Sequence, residues 1–205
     1  MTLTAIALNC TLKSGPAPSS TELLLSQVLD ALKKYEVTGK QIRVADHNVL
    51  FGVKSEAEGP NDGWPAIRQQ ILDADILIMG TPIWMGQPGS ICKMVMERMD
   101  AFLSETDDQG RLVSYGKVAA CAIVGNEDGA HHSSAEIFQS LNDVGFTIPA
   151  AAVTYWVGEA MQKTDYKDLK STPEKTAEAT ATLARNTAHL AQLLKANAYP
   201  GKPKS

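Results

Sequence analysis

Ile76-Leu-Ile-Met-Gly-Thr-Pro-Ile-Trp-Met-Gly-Gln-Pro88 decides how the rest of the chain is read. Ile76 to Ile78 is a short apolar run rich in branched side chains, the pattern of a buried strand. Gly80 to Pro88 then mixes glycine, proline, one indole and one thioether, and an apolar-periodic segment follows. A strand, a loop of this composition and a helix make a βα unit. Taken alone, the loop is an ordinary tight connection. Its special quality is that it offers backbone amides and flat apolar surface in one place.

Working outward, the same unit recurs. Ala5 to Leu8 reads as strand one, and Thr11 to Thr21 as a loop with Gly15, Pro16 and Pro18. Helix one carries Leu25, Val28, Leu29 and Leu32 at helical spacing, with Ser19-Ser-Thr-Glu22 as a capping box at its start. Gly39 closes that helical region, and Gln41 to Asp46 reads as strand two. Trp64-Pro65 opens helix two, with proline in the first turn. Asp75 to Gly80 is strand three, and Pro88 to Ser104 is helix three, with Ile91, Val95, Met99 and Phe102 on one side. Lys117 to Val124 is strand four, His131 to Val144 helix four, Thr147 to Trp156 strand five and Pro173 to Ala196 helix five. Strand and helix alternate five times, which requires right-handed crossovers and a doubly wound parallel sheet. Residues 1–198 read as one domain and 199–205 as a tail.

Composition narrows the function. The chain has 205 residues, 44% of them apolar, enough for a full core without staples. A net charge of −4 and the lack of a basic cluster argue against nucleic-acid binding. No apolar run reaches the length of a transmembrane helix, and the start lacks the charged region of a signal peptide, so neither is expected; the usage of the three cysteines fits a reducing cytoplasm. Cys10, Cys92 and Cys121 form no CxxC pair, and Cys121 reads as inert strand packing. Met94, Met96 and Met99 read as core filling. Ser90-Ile-Cys-Lys93 matches SxxK, but the other elements of that motif are missing.

Ligands of doubly wound sheets bind outside the carboxyl ends of the strands. Three loops fall there: 9–21, 80–88 and 125–132. The first is rich in hydroxyls, carries Lys13 and feeds a helix N-terminus, a ready anion site. It has neither GxxxxGK[ST] nor GxGxxG, so one phosphate ester suits it better than a di- or triphosphate. A carboxylate at Glu22 is compatible with that only if it points away. The second loop offers amides and apolar cover together, which suits a flavin ring with one apolar and one amide-like edge. The third, Gly125-Asn-Glu-Asp-Gly-Ala-His-His132, supplies small residues, a side-chain amide and two imidazoles. Adjacent helical histidines point about 100° apart. With no partner evident at i+3 or i+4, no metal site is expected. His131 and His132 read either as polar helix-start residues or as groups at the edge of the ring or the nicotinamide.

These three loops, in this order, resemble the flavodoxin-like NAD(P)H-dependent FMN reductases, which include quinone oxidoreductases. The resemblance covers about the first 160 residues. It implies an α/β flavodoxin fold with a five-stranded parallel sheet in the order 2-1-3-4-5, helices on both faces and non-covalent FMN. On the family's phosphate loop Thr11 takes the place of a serine and Lys13 that of an arginine, with Ser19, Ser20 and Thr21 following. The loop is stretched by Gly15-Pro-Ala-Pro18, and lysine lacks the bidentate fork. The expected cofactor contacts are Thr11, Lys13, Ser19, Ser20 and Thr21 from the first loop. The second contributes Thr81, Pro82, Ile83, Trp84, Met85 and Gly86. The third contributes Gly125, Asn126, Glu127, Asp128, Gly129 and His132.

The resemblance further implies that NAD(P)H reduces the flavin and that a second acceptor, such as free flavin, a quinone or a nitroaromatic, removes the electrons. No side-chain catalyst is needed for that. An exposed arginine near the open face would suit a 2′-phosphate, and Arg68, Arg98 and Arg111 are candidates. A homodimer or homotetramer is expected. The rival reading is a non-enzymatic flavodoxin-type electron carrier, for which −4 is a thin docking field.

Overall fold

The computed structural model describes residues 2–203. Strands β1 (Leu3–Asn9), β2 (Val37–Arg43), β3 (Ile76–Trp84), β5 (Val118–Gly125) and β6 (Val153–Val157) form one parallel sheet, ordered β2-β1-β3-β5-β6. A two-residue strand, β4 (Gln87–Pro88), pairs antiparallel with the end of β3. With that ribbon set aside, the order is the expected 2-1-3-4-5, and the fold is flavodoxin-like.

Alternation along each strand builds two cores. β1 sends Leu3, Ala5 and Ala7 to one face and Ile6 and Leu8 to the other. β5 divides in the same way, with Val118, Ala120, Ala122 and Val124 against Ala119, Cys121 and Ile123. Both faces are covered, which is why these strands read as unbroken apolar runs. The first face packs on α1 (Ser20–Lys33) and α5 (Glu174–Ala196), through Leu24, Leu25, Val28 and Leu32 of α1. The second packs on α2 (Trp64–Asp73), α3 (Ser90–Arg98) and α4 (Ala130–Asp143). Each fully buried branched side chain contributes roughly 1.5–3 kcal/mol. Met94, Met96 and Met99 all lie in this second core. So do the three cysteines, free and buried; a hydrogen bond with Cys92, added to burial, pushes the Cys10 thiol well up.

Four expectations are corrected. Gly39 does not close the first helix. It lies inside β2 opposite Ala5, where a Cβ would sit 2.5 Å from Leu29 Cδ2. β2 starts at Val37, earlier than Gln41, because it is an edge strand whose exposed positions break the apolar pattern. Regular helix three ends at Arg98 and continues as a 3₁₀ segment, Met99–Ser104. A spacing of three, as from Met99 to Phe102, falls on nearly the same side of either helix type, so periodicity does not separate them. The last strand is only Val153–Val157; Thr147 keeps a single bridge to Val118, and Pro149, which lacks an amide donor, lies between.

Candidate functional site

The carboxyl ends of β1, β3 and β5 open onto a cavity of about 750 Å³, within the roughly 300–1,000 Å³ of small-molecule sites. Thr11, Lys13, Ser19, Ser20 and Thr21 line one end, and Pro82, Ile83, Trp84, Gly125, Asn126 and Glu127 line the other. The loops after β1 and β5 are two strand spacings apart, roughly 10 Å.

The first end is built by a helix start. Ser19 is the N-cap of α1, and its hydroxyl accepts from Glu22 N at 3.2 Å. The amides of Ser20 and Thr21 have no partner among the described residues. They point, with the positive end of the helix dipole, at whatever fills the cavity. Only half of the capping box forms. Glu22 does not reach back to Ser19; it turns to Arg43 Nη2, at 2.5 Å, which takes its charge away from the anion end. Arg43 also donates to Ala17 O at 2.7 Å, and Asp46 Oδ1 accepts from Gly15 N at 2.6 Å. The stretched part of the loop is thus braced from β2. Lys13 is exposed and has no hydrogen-bond partner among the described residues.

At the other end the segment read as a loop is strand and hairpin. β3 runs on to Trp84, and Met85-Gly86 make a two-residue turn with φ of 55° and 74°, the twist that tight hairpins favour. Thr81 is fully buried and lies outside the cavity; its hydroxyl accepts from Gly89 N at 2.9 Å and steadies the ribbon. Trp84 is 54% exposed and borders the cavity. Met85 and Gly86 do not line it. Their amides donate to the two carboxylate oxygens of Glu127, at 3.1 and 3.2 Å.

Asp128, Gly129 and His132 also lie off the cavity. His132 Nε2 sits 3.0 Å from Gln87 Oε1 and 2.8 Å from Glu136 Oε1. The expectation that neither histidine has an i+4 partner therefore fails for His132. His131 packs edge-on against Tyr155, with ring centroids 5.3 Å apart. Among the described residues no group of three metal-binding side chains forms.

Sequence reasoning missed a whole wall. β6 brings Trp156 to the cavity, and after β6 the chain folds back over it, where Met161, Gln162, Asp165, Tyr166 and Lys167 line it. Tyr166 packs against Trp156 with centroids 5.5 Å apart, and its hydroxyl donates to Gln27 Oε1 of α1 at 2.6 Å. Lys167 N donates to Ser20 Oγ at 3.2 Å. Asp165 accepts from Asn126 Nδ2 at 3.0 Å and from Lys167 Nζ at 2.6 Å. The hydrogen bond from Lys167 holds the Asp165 carboxyl below its ordinary range. Asn126 Oδ1 is buried and has no hydrogen-bond partner among the described residues. An unmatched acceptor costs about 1–3 kcal/mol, which makes it a candidate contact for a donor on whatever fills the cavity.

Arg68, Arg98 and Arg111 are spent elsewhere. Arg68 pairs with Glu105, Arg98 is fully buried 3.1 Å from Asp62, and Arg111 holds Asp107 at 2.7 Å. None lines the cavity.

The site fits a flavin monophosphate on the chain's own features. Two free helix amides and Lys13 face one end, flat apolar cover lies at the other, and an orphaned acceptor sits between. The chain is 36% identical over 202 residues to a Mycobacterium bovis protein described as the divalent metal cation transporter MntH, matching 96% of this chain but 30% of that one. It therefore spans under a third of that relative's length. No helix among the described residues is long and apolar enough to cross a membrane. It is 30% identical to the 8-demethyl-8-aminoriboflavin-5′-phosphate synthase of Streptomyces davaonensis, over 97% of this chain and 81% of the synthase. The crystal structure of RosB with bound 8-demethyl-8-formylriboflavin-5′-phosphate superposes with a TM-score of 0.88 at 29% identity, covering 96% of this chain and 82% of that one. An archaeal flavodoxin, 11% identical over 93% of this chain and 99% of its own, shares the fold alone at a TM-score of 0.58. Residues 3–162 match the family model described as NADPH-dependent FMN reductase, and the chain belongs to that family, whose use of FMN and NAD(P)H is the use the resemblance implied.

Proposed function

We propose that the chain is an FMN-dependent oxidoreductase that takes hydride from NAD(P)H and passes the electrons to a second small acceptor. The observation that carries the reading is the pairing, in one cavity, of the unpartnered Ser20 and Thr21 amides with the apolar Ile83–Trp84 edge. The amides of α1, the hydroxyls of Thr11, Ser20 and Thr21, and Lys13 would hold a phosphate monoester. A helix N-terminus and one ammonium suit a single phosphate. Ile83, Pro82 and Val124 would cover an apolar ring from one side, Trp156 would wall it, and Asn126 Oδ1 would accept from a polar edge. The chemistry such a cofactor supplies when bound is acceptance of a hydride and its delivery onward. The half-exposed Trp84 borders the mouth and would shape access for the nicotinamide. FMN released by heat, with no FAD, together with NAD(P)H oxidation in the presence of a quinone or free flavin, is the expected result. Recovery of FAD, or of no flavin, would sink it. Flavin bound without NAD(P)H oxidation would favour the electron carrier.

A second reading comes from the synthase-type relative. There a flavin 5′-phosphate would be the substrate, altered on its dimethylbenzene edge, and not a lasting cofactor. Its support is the TM-score of 0.88 to RosB with a modified flavin bound. Mass spectrometry of the flavin before and after many turnovers separates the two: an unchanged mass supports the reductase.

A further inference from the structure

Glu127 lines the cavity, yet it spends both carboxylate oxygens on the protein, one on Met85 N at 3.1 Å and one on Gly86 N at 3.2 Å. Successive amides of a turn can form a small concavity that binds anions, and here the chain meets the two amides of this turn with its own carboxylate. The β5–α4 loop is pressed against the same turn. Gly129 has φ 132°, and a Cβ there would lie 2.7 Å from Gly86 Cα, so only glycine allows the approach. Glu127 forms no ion pair among the described residues, whereas Asp165, the other carboxylate of the cavity, is matched by Lys167. Its charge is therefore shared with amides but not cancelled by a cation.

We propose that Glu127 is a positioning residue that fastens the 84–87 turn to the β5–α4 loop and fixes a negative charge beside the ring end of the cavity, making a flavin held there harder to reduce. Two electrons and one proton leave a flavin ring one charge more negative, and a nearby carboxylate in a partly water-excluded site opposes that charge. The charge role rests on the flavin reading; the fastening role does not.

The test uses the full-length protein, saturated with FMN for the potential and without it for exchange. Glu127→Gln and Glu127→Ala should each raise the two-electron midpoint potential by about 30 mV, which is reduced FMN gaining tenfold over oxidised FMN in relative affinity. Glu127→Asp keeps the charge and should keep the potential. Amide exchange at Met85 and Gly86 should quicken in Glu127→Ala and less in Glu127→Gln, which retains one acceptor oxygen. A potential unchanged in both neutral variants overturns the charge role. Exchange unchanged in Glu127→Ala overturns the fastening role. If the wild-type protein takes up no FMN, the flavin reading and the charge role fall together, and exchange still decides the fastening.

Discussion

The two ends of the sheet carry cavities of similar polarity and opposite condition. At the amino ends of β3 and β5 a cavity of about 460 Å³ is lined by Asp75, Asp107, Arg111, Lys117 and Lys195, with Tyr115 and Tyr199. Every cation there is spent. Lys117 Nζ donates to Leu72 O at 2.5 Å and Ala74 O at 2.8 Å, Lys195 holds Asp75 at 2.9 Å, and Arg111 holds Asp107 at 2.7 Å. Burial pulls the Lys117 ammonium below its ordinary range, with Asp75 and Asp73 opposing. At the carboxyl ends, two helix amides, Lys13 and Asn126 Oδ1 lack partners among the described residues. Charge alone does not mark a ligand site. Unspent hydrogen-bonding capacity in a concave place does, because folding otherwise pairs buried polar groups.

If that contrast holds, the largest effects on flavin binding come from the carboxyl end. A hydrogen bond to a charged group contributes about 1.5–3 kcal/mol, so Lys13→Ala and Ser20→Ala should each weaken FMN binding about 10- to 150-fold. Lys195→Ala should leave it unchanged. Flavin titration by fluorescence quenching reads both, and equal affinity in all three variants would erase the distinction between the ends.

Lys117→Met tests the amino end. It strands the Leu72 and Ala74 carbonyls, at about 1–3 kcal/mol, a fall in melting temperature of roughly 2–12 °C for a chain of this size. FMN affinity should not move. A flavin effect without a stability effect would place a ligand at the wrong end.

Trp84→Ala is a smaller change. The indole is 54% exposed, so its removal opens no core cavity. Aromatic contact beyond area burial is about 0.5–1.5 kcal/mol. Most FMN should stay bound, the melting temperature should hold, and turnover per flavin should change. A sharp stability loss with unchanged turnover would show that the side chain supports the fold and not the mouth.

The smallest effect is on the strap after β6. Asp165 has a depressed pKa, so its contribution is complete above the ordinary carboxylate value of about 3.9 and is lost as pH falls through the folded value. Lys167 is shifted upward, chiefly by its hydrogen bond to Asp165. Its contribution is complete below the ordinary lysine value of about 10.4 and is lost as pH rises through the folded value. Protease nicking within 158–164 should therefore be slowest between those limits and rise on acidification. Asp165→Asn should flatten the acid limb; a limb that persists in that variant assigns it to another group.

Much of the cavity lining was legible because its signals are local. Ser19 before an apolar period marks a helix start, and a helix start carries free amides wherever it sits. Trp84 stands out in a Gly- and Pro-rich stretch after an apolar run. The far wall had no such signal. Asp165, Tyr166 and Lys167 lie in a polar stretch without periodicity, and each owes its place to a distant partner: Asn126, Gln27 or Ser20. Arg43 was hidden for the same reason, as an ordinary strand residue until Glu22 and Ala17 O meet it.

By itself the sequence determined the alternation of strands and helices, the two-sided burial of β1, β3 and β5, and the loops at the carboxyl ends of the strands. Apolar pattern and capping act over a few residues, so they can be read in order along the chain. Only the tertiary structure decided which polar groups remain unspent. Glu127 reaches the Met85 and Gly86 amides, Glu22 turns to Arg43, and Arg98 sinks beside Asp62 because folding brings distant segments within hydrogen-bond range. Pairing between such segments is set by proximity in space, which no local pattern encodes.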